Sequence, residues 1–226
     1  MNHNVRKFLW IILGIVLISG TCVFAEDVPR AEVSVTAGWT FSDGVTGDSI
    51  LAANGQIYDR VDPKDSFNFG FTGEYFVTPS VEVGFRFNRQ KSKLEIGGTT
   101  TTEIGDMNVD NWHGIFSYNF GDPEASTRPF IYGGLGATHY GGVDFTFNGV
   151  GRTINSLTKF SSTWGGGLKF HASKNVGVKV EGTWTPTHIK TDEAGWFCDP
   201  FWGCYLVGNA QYSNQFGFDG GINFRF

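Results

Sequence analysis

Apolar and polar residues alternate along most of this chain, and the alternation falls into eight blocks. A period of two marks a strand with two unlike faces. The first block runs from Ala31 to Phe41, with Val33, Val35, Trp39 and Phe41 against Glu32, Ser34, Thr36 and Thr40. The second, Ser66 to Val77, sets Phe67, Phe69, Phe71 and Tyr75 against Asn68, Thr72 and Glu74. The third, Val81 to Gln90, sets Val83, Phe85 and Phe87 against Glu82, Arg86 and Asn88. The fourth, Val109 to Phe120, sets Trp112, Phe116, Tyr118 and Phe120 against Asn111, His113, Ser117 and Asn119. The fifth, Phe130 to Tyr140, is glycine-rich, and its parity is ambiguous. The sixth, Lys159 to His171, places Phe160, Trp164, Leu168 and Phe170 opposite Ser161, Thr163 and Lys169. The seventh, Val176 to His188, places Val178, Val180 and Trp184 opposite Lys179, Glu181 and Thr183. The eighth, Tyr212 to Phe226, ends the sequence on Phe218, Ile222, Phe224 and Phe226, with Asp219 and Arg225 on the other face.

Each block is close to the ~9–11 residues that a tilted strand needs to cross a bilayer. The connections alternate in length. Thr78–Ser80, Gly121–Pro129 and Ala172–Asn175 are short, while 42–65, 91–108, 141–158 and 189–211 are long. Spanning barrels have short periplasmic turns, long outer loops and an even strand count. The expected fold is therefore all-β: an eight-stranded antiparallel up-and-down transmembrane barrel, both termini periplasmic. Residues 91–108 are expected to lengthen strands three and four into a hairpin beyond the membrane.

Alternation alone does not separate this barrel from a soluble one with its apolar face inward. The apolar face here carries Phe and Trp near the strand ends, as an interfacial girdle requires. The polar face is rich in Gly, Ser, Thr and Asn, which suit a narrow interior. The charged residues on that face then share one lumen: Glu32, Glu74, Glu82, Arg86, Lys169, Lys179, Glu181, Asp219 and Arg225. Isolated charges there would cost several kcal/mol each, so they must pair. Closure of the sheet brings Arg225 beside Glu32, and Glu74 lies diagonal to Arg86 in the second hairpin. A structural network is the plain reading, and an ion pathway is the alternative.

The amino-terminal segment changes the starting point of the fold. Arg6 and Lys7 precede an apolar run, Phe8–Ile18, and Val23-Phe24-Ala25 has small residues where a signal peptidase reads. A run of about ten residues is too short to span a bilayer. Residues 1–25 are thus expected to be a signal peptide and 26–226 the barrel domain. The formal charge of -5 gives no reason to expect nucleic acid. Of three cysteines, Cys22 lies in the signal segment. Cys198 and Cys204 form an even pair in an exported protein, so a disulfide is expected. Across so short a loop it constrains the unfolded chain by roughly 2 kcal/mol.

The end of the chain, Asp219-x-Gly221-x-x-Phe224-x-Phe226, together with the glycine-rich Arg128–Gly136 segment and the eight-block plan, resembles the small outer-membrane β-barrel family of opacity-type surface antigens and OmpX- and OmpA-type barrels. The resemblance covers the whole mature chain. It implies that Asp219, Gly221, Phe224 and Phe226 are the signal read by the barrel-assembly machinery. It also implies contact with outer-membrane lipid and lipopolysaccharide. It does not imply one activity, because members serve as adhesins, structural proteins, small pores and occasional lipid enzymes. A cell-wall tether of the OmpA kind is not expected after Phe226.

The last outer loop holds Trp196, Phe201 and Trp202 beside the cysteines. Exposed aromatics on a rigid loop form a contact surface for an unknown partner, or pack on the barrel's own rim. A lipid A enzyme would need a His and a Ser on the outer side. His171 and Ser173 have a tempting spacing but fall at a periplasmic turn, and no catalytic residue is assigned. His113, His139 and His188 read as rim or loop residues. Asp59, Asp62 and Asp65 lack the spacing of a calcium loop, so no metal and no cofactor is expected. The leading expectation is a structural or surface-recognition role carried by the outer loops, with a narrow channel as the alternative.

Overall fold

The structure is a computed structural model. It describes residues 29–51, 57–147, 150–189, 198–199, 203–204 and 211–226. Every regular element among them is a β-strand. Eight strands form the barrel: β1 (Ala31–Ser42), β2 (Ser66–Thr78), β3 (Val81–Gly98), β4 (Thr102–Asn119), β5 (Thr127–Tyr140), β6 (Leu157–His171), β7 (Val176–Ile189) and β8 (Gln211–Arg225). Each pairs antiparallel with its neighbour in sequence. β8 pairs with β1 from Glu32↔Arg225 to Ser42↔Gln215, which closes the sheet and removes its last open edge inside the barrel.

The alternation in sequence becomes two surfaces. Val35, Phe71, Phe85, Phe116, Leu168, Val180 and Ile222 point out of the barrel and are exposed. Their polar neighbours Ser34, Thr72, Arg86, Ser117, Lys169, Lys179 and Asn223 are buried inside. Outward aromatics tile the face of β2–β4: Phe87 stands 4.2 Å from Trp112 and 5.5 Å from Phe71 between ring centroids. Such pairs contribute beyond their buried area.

The termini and the short turns lie at one end, here the terminus end. Residues 79–80, 120–126 and 172–175 make these turns. Gly121 has φ of 80°, a left-handed conformation that costs glycine nothing. At the opposite, loop end the sheet continues past the barrel. β3 and β4 run on as one long hairpin, with 99–101 as its tip. Ile57–Pro63 pairs with the upper part of β3, and Val45–Leu51 pairs in turn with Ile57–Pro63. Val143–Phe147 and Val150–Ile154 form a separate hairpin. The lengthening expected for 91–108 is what the strands adopt.

The ambiguous fifth strand has its aromatics inside. Phe130, Tyr132 and Tyr140 are buried, whereas Ile131 and Leu135 are exposed. Glycines at 133, 134 and 136 leave both faces without a strong signal, and large apolar residues occur on each.

Candidate functional site

Among the described residues, the lumen is the densest collection of charged and polar side chains. Near the terminus end Glu32 on β1 takes Lys169 of β6 at 2.8 Å and Arg225 of β8 at 3.0 Å. Lys169 also reaches Glu82 on β3 at 3.0 Å. One ammonium therefore ties β6 to two strands on the far side of the barrel. Carboxylate oxygens of Glu32, Glu74 and Glu82 approach within 4.8 Å of one another. Lys169 already bonds two of these three carboxylates, so this acidic group is part of an ion network.

The next rung belongs to Arg86. Its guanidinium crosses the lumen to Glu181 of β7 and lies 3.4 Å from Asp219 of β8. Lys179 meets Glu181 at 3.0 Å. The register does set Glu74 diagonal to Arg86, with Thr72 opposite Arg86 and Gly84 opposite Glu74. The ion pairs of Arg86 nevertheless run across the barrel, and Glu74 accepts a hydrogen bond from Ser117. Partner choice in a closed barrel depends on its diameter and stagger, which hairpin geometry does not contain.

Sequence reasoning missed Arg128. It is buried at the terminus end and donates to the carbonyls of Pro79 and Asn119. With it the lumen holds, among the described residues, five cations, Arg86, Arg128, Lys169, Lys179 and Arg225, against five carboxylates, Glu32, Glu74, Glu82, Glu181 and Asp219. That balance is what a low-dielectric interior demands. The inward aromatics of β5 serve the same charges. Lys179 sits 4.8 Å and Lys169 5.2 Å from the Phe130 ring centre, and the Arg86 guanidinium 5.3 Å from Tyr132. Ring faces attract desolvated cations.

Above the ions the lumen is filled by neutral groups. Gln215 bonds Gln90 at 2.8 Å and Asn111 at 3.1 Å. Thr187 donates to Thr138 at 3.0 Å, and Tyr132 and Thr183, which meet at 2.6 Å, stand at the Arg86 rung itself. His113 is buried here, 2.9 Å from Ser161, so it is a lumen residue and corrects the rim assignment. Its polar-face parity already pointed inward. A cavity of about 20 Å³ remains among Arg86, Asn111, His113, Gln215 and Asp219. That is room for about one water.

At the loop end the chemistry changes sides. Leu94, Met107, Val109, Tyr140 and Val143 form a buried apolar cluster, with Val61, Ile104 and Ile154 packed against it. This cluster is the core of a cap at the loop end. The cap's outer surface is ionic: Arg89 grips Asp110 with two bonds of 2.6 Å, and Glu103 receives Lys64 and, at 2.7 Å, Lys93. Hydrogen bonds from these two ammonium groups hold the Glu103 carboxyl down at about 2. Burial pushes Asp62 up, against the opposing pull of Arg60. Asp62 accepts from Arg60 at 3.2 Å and Asp65 from the backbone N–H of Ser42 at 2.8 Å, which uses both in local structure.

The remaining sequence candidates divide. His171 ends β6, and the Ser173 hydroxyl oxygen accepts the Val176 N–H at 3.1 Å within the turn. Gly221, Phe224 and Phe226 belong to the closing strand and its end, with Gly221 opposite Thr36 and Phe224 opposite Val33. Cys198 and Cys204 lie opposite each other in a short antiparallel pair. Trp196, Phe201 and Trp202 lie outside the described residues, as do positions 1–25.

The family model described as the OprF membrane domain matches residues 43–196. The chain belongs to the OprF membrane domain family. Among solved structures, OprG from Pseudomonas aeruginosa matches with a TM-score of 0.56 at 13% identity, covering 88% of this chain and 97% of that one. Neisserial surface protein A matches with a TM-score of 0.54 at 10% identity, covering 87% and 97%. At such identities the likeness is one of fold. No curated protein sequence matches. As an OprF-type membrane domain, this protein is a bacterial outer-membrane β-barrel. Its outward apolar face is the surface that meets lipid.

Proposed function

We propose that this protein is a structural and surface-recognition barrel, adhesin-like, whose specificity lies in the loop-end cap and outer loops. The termini and short turns face the periplasm in this reading, and the cap projects outside the cell. One observation carries it: β3 and β4 continue beyond the apolar band into an extension with its own buried core and a charged exterior. A core of that kind has no use in a bare membrane anchor. The crossing ion pairs and the small residual cavity favour a structural lumen over a conducting one.

Cys198 and Cys204 form a disulfide in this reading. Directly opposed residues of an antiparallel pair have Cα atoms ~4.5–5.5 Å apart, within the ~4.4–6.8 Å that a bridge spans. The bridge would fix Trp196, Phe201 and Trp202 as a contact surface. Asp219, Gly221, Phe224 and Phe226 act as the assembly signal, and lipopolysaccharide is the expected lipid neighbour.

Replacing 91–108 by a tight turn tests the role. Expressing cells should lose adhesion while the barrel keeps its heat-modifiable gel migration. Full adhesion without the extension would refute the recognition role. A membrane-impermeant maleimide should label Lys93→Cys on intact cells, and labelling only after permeabilisation would reverse the orientation. Single-channel steps in a planar bilayer that vanish in Arg86→Ala would favour a pore instead.

A further inference from the structure

The lipid-facing surface is uneven. On β2–β4 it is tiled by aromatic rings, whereas on β6–β8 it has an open apolar groove of about 480 Å³. Trp164, Trp184, Phe216 and Phe218 rim the groove, and Gly182 lies in its floor. Trp164 and Trp184 are opposite each other in register, yet their rings are engaged on opposite sides. Trp164 lies over Gly133, where a Cβ would come within 2.9 Å of the indole, and its Nε1–H donates to Ser162 at 3.2 Å. Trp184 stacks on Phe216, with centroids 6.4 Å apart and planes 10° from parallel, and its Nε1–H donates to Asn214 at 3.1 Å. Two indoles anchored away from each other leave the space between them open. A side chain at 182 would fill part of it, since a Cβ there meets nothing closer than 3.8 Å.

We infer that this groove holds one acyl chain of lipopolysaccharide. It is continuous with the apolar band that borders hydrocarbon, so its occupant must be apolar. A thin flexible chain fits a recess between ring walls, while a second barrel presents a convex wall. Close protein–protein packing in lipid also relies on small residues at the point of contact, and here Trp and Phe project around the glycine. The groove runs from the middle of the band toward its loop side, with Trp184 and Phe216 on that side and exposed Phe160 and Tyr212 nearer still to the loop end. The choice of lipopolysaccharide over phospholipid therefore rests on the outward orientation of the loop end proposed above.

The test uses the full protein in living cells. A benzophenone side chain is placed at position 218, or as a control at position 71 on the tiled side. Illumination should give a lipopolysaccharide adduct at 218 far stronger than at 71. In a Gly182→Leu background the adduct at 218 should fall to the level at 71, while heat-modifiable migration shows the barrel still folded. Equal adducts at both positions, or an adduct indifferent to Gly182→Leu, would overturn the groove as a site. An adduct with a second copy of the chain would overturn it in favour of an oligomer contact. A phospholipid adduct lost in Gly182→Leu would overturn lipopolysaccharide as the occupant. Combined with Lys93→Cys labelling only in permeabilised cells, it would trace that failure to the orientation.

Discussion

The membrane band and the loop-end cap are built from the same strands with opposite chemistry. Within the band, β3 turns Glu82, Arg86 and Asn88 inward and Val83, Phe85 and Phe87 outward. A few residues further on, the same inner face carries Leu94, and Lys91 and Lys93 point outward. β4 repeats the exchange, from inward His113 and outward Trp112 to inward Met107 and Val109 and outward Asp106. On the outer face the exchange happens over one rung, while inside β3 Gln90 and Ser92 stay polar before Leu94. Phe87 and Trp112 meet as the last aromatic pair of this hairpin, their planes tilted by 42°, and Arg89 grips Asp110 as the first ionic one. Parity in the backbone does not change there; the solvent does. Residues on each face answer to what lies outside, lipid below the rung and water above it. The interior then takes whatever chemistry the exterior rejects.

The sharpest break in this comparison comes from the lumen. Arg86→Ala leaves Glu181 and Asp219 with one cation between them, Lys179. Removing one partner of a buried ion pair costs about 3–5 kcal/mol. The loss should appear as a lower urea midpoint for unfolding in lipid, with the whole barrel affected. Adding Glu181→Gln and Asp219→Asn should recover part of it. An unchanged midpoint in the single variant would mean that the lumen is wet enough to solvate its charges.

The cap should fail differently. Leu94→Ala removes a fully buried side chain from the apolar cluster, a change that costs about 2–5 kcal/mol in a well-packed core. Only the cap depends on that cluster. Amide exchange should accelerate over 91–108 and 143–147, while gel migration stays heat-modifiable. A global collapse would show that the two regions fold as one unit. Phe71→Arg, at mid-band, should cost about 2–4 kcal/mol, because lipid cannot solvate the charge. Arginine at 89, one rung above the aromatics, is native.

Most of this division could be read from residues alone. Seven of the eight blocks have the inward and outward faces that their alternation indicates. The inversion was also written in 91–109, where Lys91 and Lys93 flank positions leading to Leu94, and Met107 and Val109 flank Asn108. β5 was not legible, because glycine has no hydropathy to assign and Ile131 is as apolar as Phe130. Arg128 was lost beside it, because the sequence places it in the short Gly121–Pro129 connection, whereas the strand begins at Thr127. The partners of Arg86 were hidden for another reason. Period and register fix which face a residue takes, but the reach to Glu181 spans 95 positions in sequence and needs the closed ring.

The smallest expected effect concerns the cap's exterior, where water should weaken every charge that the lumen makes expensive. Glu103 bonds Lys64 and Lys93 on an exposed surface, and its carboxyl is lowered from 4.5 to about 2. A lowered folded-state value means that the interaction stabilises the cap above pH 4.5. That contribution is lost as the pH falls through about 2. The paired lysines are raised by the same contact, so their share is present below their ordinary value and disappears only at strongly alkaline pH. The carboxyl carbon of Glu103, followed by NMR, should titrate well below an ordinary glutamate, and high salt should move it back toward 4.5. Glu103→Gln should remove the acid-dependent loosening of the 99–101 tip without touching the barrel. An ordinary titration at low salt would show that the two lysines do not hold Glu103 in solution. The comparison would then be stricter still: in this protein, ion pairs would hold structure only where lipid keeps water out.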